Sequence, residues 1–271
     1  AEIVAHHAAA GERLVALIRD CASILFDLVR DEGIEAEAEQ TGWLQPVHSP
    51  GRMKIAERRV KQWGAVGAPV ELIDRARMRE LLGSDAWFGG WTNRSGGHIN
   101  PLALSRGLAR AVVARGGRIA VGTPAEHFDR RGDRWVVTTP HGLISARGLI
   151  LATNAYTGEF SPWLAPSIAR EVVPYYSWQM ATAPLSDNVR RAIIPGRQAM
   201  SDTHRELYFA RWDARNRLVT GGAAVVPGQG GANIRRQVAA RLQALWPQIG
   251  EVEFDYVWSG YVGMTPDNIL K

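Results

Sequence analysis

The chain has 271 residues, 46% of them hydrophobic and 22% charged, which fits one large globular domain or two ordinary ones. The net charge of +5 comes from scattered arginines without a dense basic run or stacked aromatics, so nucleic-acid binding is not expected. No apolar stretch approaches a membrane span, no signal peptide is visible at the N-terminus, and the single Cys21 excludes an internal disulfide, in keeping with a reducing, cytoplasmic setting.

From Glu2 to Arg30 apolar residues recur at helical spacing (Leu14, Leu17, Ile18, Cys21, Ile24, Leu25, Leu28), with Gly33 as the stop. Cys21 is read as a small buried apolar residue of that helix. "TGWLQPV" reads as a strand, "PGRMKIAERRVKQWGAVG" as a helix, "VELID" as a short strand, and "DRARMRELLG" as a helix capped by Asp74. "AWFGGWTNRSGGHIN" is expected to be a strand and a loop. Pro101 opens a helix through Arg115 that Gly116 and Gly117 close. Four strands are expected next, in "RIAV", "PAEHFDR", "RWVVTT" and "LISARGLILAT". The unbroken apolar run from Leu149 to Thr153 reads as a buried parallel strand whose end serves a ligand. After Phe160 the pattern becomes long, aromatic and β-rich ("REVVPYYSWQMATAP", "RELYFARWD", "NRLVTGGAAVV", "EVEFDYVWSGYVG"), as in an antiparallel sheet with one covered face, interrupted by the helix "NIRRQVAARLQALWP". The fold expected is α/β: part of a dinucleotide-binding domain plus a mainly antiparallel sheet with helices.

Few motifs carry chemistry by themselves. "VVPGQGGANIRR" has Asn233 where the dinucleotide fingerprint needs its last glycine, and reads as a decoy turn. His6 and His7 lack partners at metal-ligand spacing, and no zinc or serine-hydrolase signature occurs. His98 in "SGGHINP" projects from a constrained loop, so it either bonds to nearby backbone or lines a site. In "LYFARWD" alternation puts Tyr208, Ala210 and Trp212 on one face and Phe209 and Arg211 on the other, leaving a Tyr or an Arg as the polar group of a pocket wall.

In this order, "GWL" (Gly42 to Leu44), "GGHINPLALSRGLARAVVARGGRI" (Gly96 to Ile119), "LILATNAYT" (Leu149 to Thr157), "LYFARWDARNRLVTGGA" (Leu207 to Ala223) and "WSGYVGMTPDNI" (Trp258 to Ile269) resemble a known family. It is the FAD-dependent oxidoreductases of the D-amino-acid-oxidase, glycine-oxidase and sarcosine-oxidase superfamily, with the γ-glutamylputrescine-oxidase-like amine oxidoreductases nearest. The resemblance implies FAD as cofactor, with Ala125 beside the adenine and Ala152, Thr153 and Asn154 at the pyrophosphate. Gly260, Gly263, Met264 and Thr265 would lie near the flavin ring. His98, Tyr176, Tyr208, Arg211 and Trp258 are the substrate-lining candidates, and no catalytic base is assigned.

By the same resemblance residues 1–36 and 96–160 belong to the FAD-binding domain, 37–95 and 161–262 to the substrate-binding domain, and 263–271 begin a flavin-capping segment. The family's opening strand, glycine-rich turn and acidic ribose-binding residue have no counterpart in these residues. The expectation is therefore a fragment of a longer flavoenzyme with an incomplete FAD site, prone to self-association along the edge beside "LILAT". Superfamily members that act on amino acids place an arginine in the segment aligned with "GYVGM"; its lack here points to an amine substrate, unless Arg211 or Arg94 substitutes. The competing expectation is a non-catalytic α/β remnant that binds a partner or small ligand without FAD.

Overall fold

The computed structural model describes residues 2–158, 163–223 and 231–265. Helix α1 (Glu2–Asp31) leads into β1 (Trp43–Pro46). A 3-10 turn at Pro50–Arg52 starts α2 (Met53–Gly64), which is followed by β2 (Val70–Ile73) and α3 (Arg75–Leu82). Asp74 caps α3, its side chain accepting from the Arg77 amide at 2.8 Å. Strand β3 (Gly90–Asn93) precedes α4 (Pro101–Ala114), where Asn100 caps the Ala103 amide at 3.2 Å and Pro101 opens the first turn.

Three strands form an antiparallel meander: β4 (His127–Arg131), β5 (Arg134–Thr139) and β6 (Gly142–Ala146). Then come α5 (Pro166–Ala169), β7 (Val173–Thr182), α6 (Asp187–Ala192), β8 (Ala199–Ser201), β9 (Phe209–Trp212) and β10 (Leu218–Ala223). Helix α7 (Gly231–Leu245) and β11 (Phe254–Met264) complete the described chain.

The larger sheet has eight strands in the order β11-β7-β10-β9-β8-β1-β3-β2. Its β8-β9-β10 and β1-β3-β2 ladders are antiparallel, and β1 joins β8 in parallel. The mixed α/β class and the mainly antiparallel sheet agree with the sequence, and β9 and β10 lie in that sheet, apart from residues 149–153.

The chain divides into two compact units, residues 1–116, 179–222 and 228–258, and residues 117–178, 223–227 and 259–271. In the first unit, Val47, Ala56 and Trp91 join α2 to the sheet, while Val29, Ile34 and Ala36 pack with Ala103, Leu104 and Leu108 of α4. Trp87, Trp212 and Trp246 are fully buried in this unit. Each has its indole N–H satisfied, by Asp202 Oδ2 at 3.2 Å, the Ile193 carbonyl at 2.8 Å and the Leu82 carbonyl at 2.7 Å.

Three expectations are corrected. The run Leu149 to Thr153 lies in no strand, and Ile150 is 89% exposed. A strand needs at least one neighbour to pair with, and no described strand pairs with these residues, so apolar composition alone does not make them a ladder. "RIAV" is likewise not a strand, and Val121 is exposed. Cys21 is exposed too, on the stripe of α1 with Leu17, Ile24 and Leu28, because the buried face is the one bearing Phe26 and Val29. Two apolar stripes on one helix read as one in the sequence. The glycine-rich turn in "VVPGQGGANIRR" and the segment 266–271 lie outside the described residues, as do the side chains of His6 and His7.

Candidate active site

In the first unit the segment after α1 meets the loop after β3 at one antiparallel bridge. The Glu39 amide donates to the His98 carbonyl and the His98 amide to the Glu39 carbonyl, both at 2.9 Å. Gly97 permits the approach: a Cβ there would sit 2.1 Å from the Glu39 carbonyl oxygen and 2.8 Å from Phe26 Cζ.

The His98 side chain is only 4% exposed, and its Nε2 lies 3.0 Å from the Arg197 carbonyl oxygen and 3.9 Å from Glu39 Oε2. The guanidinium of Arg197 grips Glu39 through both carboxylate oxygens, with Nε to Oε2 at 2.7 Å, and Nη2 donates to the Asp213 carbonyl at 3.0 Å. Thr41 Oγ1 donates to the Arg197 carbonyl at 2.8 Å. His98 thus bonds to backbone, and it also borders a cavity of about 290 Å³ with Phe26, Trp43 and Asn93.

Electrostatics follow from burial. Burial pushes the His98 pKa below its usual value, against Glu39, which raises it, and together with the charges of Arg211 and Arg197. Burial would raise Glu39, but the hydrogen bond and charge of Arg197 outweigh it and hold the carboxyl low. Arg211 is pushed down by burial against the carboxylates of Asp213, Glu37 and Glu39.

His48 too is pulled down, by burial first and then by His204 and Arg52. A histidine held neutral in the folded chain takes up its proton on unfolding. Its contribution is thus complete above the unfolded value of 6.5 and is lost as pH falls below it. We expect the urea midpoint to drop between about pH 7 and about pH 5.5, and His98→Gln to flatten that slope. A midpoint independent of pH would contradict the assignment.

Tyr208 lies elsewhere in this unit, inside a stack. One face of its ring meets His204 (centroids 4.2 Å, 23°) and Arg241 lies 4.4 Å from its centre. His204 stacks in turn on His48 at 4.0 Å. The fully buried Asp202 anchors the stack through His204 Nδ1 at 2.5 Å and the amides of His204 and Tyr208 at 2.9 and 3.0 Å. Arg211 is on β9, its Nη1 donating to the Trp212 carbonyl at 3.3 Å, and Trp258 is 46% exposed on β11. Of the substrate-lining candidates, His98 and Arg211 thus share one charged cluster, whereas Tyr208 and Trp258 have other surroundings.

Tyr176 belongs to the second unit, its hydroxyl 2.6 Å from Ser259 Oγ and its ring edge-on to Trp178 and Tyr261. There Asn154 is left-handed (φ 47°), and its Oδ1 accepts from the Ala155 amide at 2.6 Å and the Gly263 amide at 3.2 Å. A Cβ on Gly263 would fall 2.5 Å from that oxygen. Thr153 Oγ1 meets Thr157 Oγ1 at 2.7 Å. Tyr156 Oη accepts from the Tyr261 amide at 3.2 Å and would lie 3.4 Å from a Cβ on Gly260. Asn154, Thr157 and Gly158 help to line a cavity of about 110 Å³. Ala152 and Met264 are exposed, Thr265 is half-buried, and half-buried Ala125 precedes β4.

Sequence reasoning missed Glu39 and Arg197. Neither carries a local signal: Glu39 sits in the alternating "EAEAEQ", Arg197 in a turn, and they lie 158 residues apart.

Comparison with known proteins gives the protein's class. The chain belongs to the FAD dependent oxidoreductase (DAO) family, whose signature matches residues 1–270. It is 32% identical over 213 residues to gamma-glutamylputrescine oxidoreductase of Escherichia coli (strain K12), covering 77% of this chain and 48% of that protein. The probable oxidoreductase OrdL of Haemophilus influenzae is 30% identical over 196 residues, 72% of this chain and 44% of the relative. The chain spans about half the length of the curated relatives it matches.

Among solved structures, glycine oxidase from Geobacillus kaustophilus superposes with a TM-score of 0.71 at 18% identity, covering 96% of this chain and 68% of that one. L-proline dehydrogenase from P. horikoshii gives 0.77 at 18%, covering 92% and 67%. The fold is thus shared with these two enzymes.

Proposed function

We propose that the whole protein oxidises the C–N bond of a primary or secondary amine, with FAD as the immediate oxidant. When bound, FAD supplies a hydride acceptor; the chain's part is to bind and orient the amine and to keep it neutral. "GYVGM", Gly260 to Met264, carries the amine reading, because it offers no guanidinium for a substrate carboxylate. The two possible replacements are poor ones. Arg94 is exposed and 3.6 Å from Glu71, and Arg211 lies in the field of Asp213, Glu37 and Glu39, which disfavours a further carboxylate.

On this reading Ala125, Ala152, Thr153, Asn154, Gly260, Gly263, Met264 and Thr265 contact the cofactor, mainly through backbone. His98, Arg211, Tyr176, Tyr208 and Trp258 serve the amine, directly or by support. Residues 1–36 and 96–160 go with FAD, 37–95 and 161–262 with the substrate, and 263–271 with the cap over the flavin. A cytoplasmic setting and self-association along the exposed run at Ile150 belong to the same proposal.

The test is flavin reduction by the whole protein under anaerobic conditions. Primary and secondary amines are expected to reduce the flavin faster than glycine or D-alanine by at least about tenfold, a difference of roughly 1.4 kcal/mol in barrier. Faster reduction by the α-amino acids would overturn the amine reading.

A further inference from the structure

The carboxylate of the fully buried Asp202 is filled. Oδ1 accepts from the amides of His204 and Tyr208 at 2.9 and 3.0 Å, and Oδ2 from the Trp87 indole at 3.2 Å and from His204 Nδ1 at 2.5 Å. Four donors use up the lone-pair positions of a carboxylate. His48 lies one layer further out, its ring 4.0 Å from that of His204 and 20° from parallel. It stacks on a histidine that has a carboxylate, and it has none of its own.

What His48 does have is a neutral partner. Its Nδ1 lies 3.0 Å from Thr203 Oγ1, and its amide donates to the same oxygen at 3.3 Å. These contacts join the connection after β1 to the connection after β8, 155 residues away. Arg52, in the 3-10 turn that follows His48, and Arg241 of α7, which closes the far end of the stack over Tyr208, are both cationic. Opposing them are Asp202, whose oxygens are taken, and Glu206, which acts on Arg241. A neutral imidazole stacks on His204 without electrostatic penalty. An imidazolium there would face a second imidazole and Arg52 with no carboxylate to receive it. Burial first, then His204 and Arg52, accordingly push the His48 pKa below 6.5, against Asp202 and Thr203, which raise it.

We propose that His48 and His204 form a proton-sensitive clasp between the β1–α2 and β8–β9 connections, closed while His48 is neutral and opened when it takes up a proton. The ring of His48 then leaves the stack, and His204 stays on Asp202. Once released, the ring binds a proton at the ordinary value of 6.5; within the stack it does so only at lower pH. Opening is therefore favoured as pH falls below 6.5, and because one proton is coupled to it, the open fraction rises by at most about tenfold per pH unit.

The test uses the 271-residue chain labelled with ¹⁵N-histidine and titrated from about pH 8 to about pH 5, a range that brackets histidine. The nitrogen spectrum of His48 reports its protonation, and the ring protons of His204, displaced by the ring current of His48, report the stack. Exchange of the His48 amide with solvent, divided by the rate of an unprotected amide at the same pH, reports its bond to Thr203. His48 is expected to titrate below 6.5, with the His204 ring protons moving to their unstacked positions in step. Normalised exchange should rise several-fold, by up to about tenfold, for one pH unit below that value.

His48→Phe keeps a stacked ring without a proton site and should hold both readings constant to within about twofold over the same range. Arg52→Gln is the second variant and leaves the stack untouched. With one like charge removed, His48 should titrate nearer to 6.5 and exchange should rise less as pH falls. Titration of His48 at or above 6.5, a stack that persists while His48 titrates, or acid opening that survives in His48→Phe would overturn the proposal.

Discussion

Asp202→Ala is expected to lower the stability of the first unit by roughly 3 to 5 kcal/mol, the range for removing one partner of a buried polar cluster. Asp202 is fully buried and receives four donors: the Trp87 indole, the amides of His204 and Tyr208, and His204 Nδ1. Alanine leaves those donors facing a void that also unseats the stack of His48, His204 and Tyr208. Asp202→Asn keeps the volume and should recover about half of the loss. His204 Nδ1 can change to an acceptor, but the indole of Trp87 can only donate. Urea unfolding of the three chains decides the point, and an alanine variant within about 1 kcal/mol of the parent would show that the cluster contributes little.

The second large effect is expected at Gly97. A methyl group there meets the Glu39 carbonyl oxygen at 2.1 Å and Gln40 Cα at 2.8 Å, and both obstacles are backbone. Neither can yield as a flexible side chain would, so Gly97→Ala must break the Glu39–His98 bridge and carry the imidazole away from Arg197. Overpacking of this severity costs about 3 kcal/mol. Gly116→Ala is the control: its φ is +81° but nothing lies within 4 Å, so only the left-handed backbone is penalised, by about 1 kcal/mol. The Gly97 variant should also lose the His98 Nε2–H signature in the nitrogen spectrum, which a uniform loss of stability would leave intact in the folded fraction. Parity of the two alanine variants would refute the close-approach argument.

The amino-acid sequence by itself determined the local pieces. The span of α1, Asp74 as the cap of α3, Pro101 at the start of α4, and the strands that contain β1, β7, β9, β10 and β11 are all encoded within a few residues of where they occur. Capping, φ preference and apolar period act over one turn or one strand, and so they can be read along the chain. His98 as a constrained loop residue was legible for the same reason.

Tertiary structure decided everything that depends on a distant partner. Glu39 and Arg197 gain their meaning from a contact across 158 residues. Short β8 exists because β1 and β9 flank it, and the three residues Ala199–Ser201 carry no pattern of their own. The run at Leu149 has strand composition, yet a strand is a property of a ladder, and no described neighbour completes one. Cys21 and Tyr208 follow the same rule. Helical period told that α1 is apolar, but only packing decided which stripe Phe26 would bury and which Cys21 would expose. Alternation put Tyr208 on a face, but the stack of His204 and Arg241 decided that its ring is engaged by the protein itself. Propensity is local; burial and charge pairing are pairwise, and the pairs are made only when the chain folds.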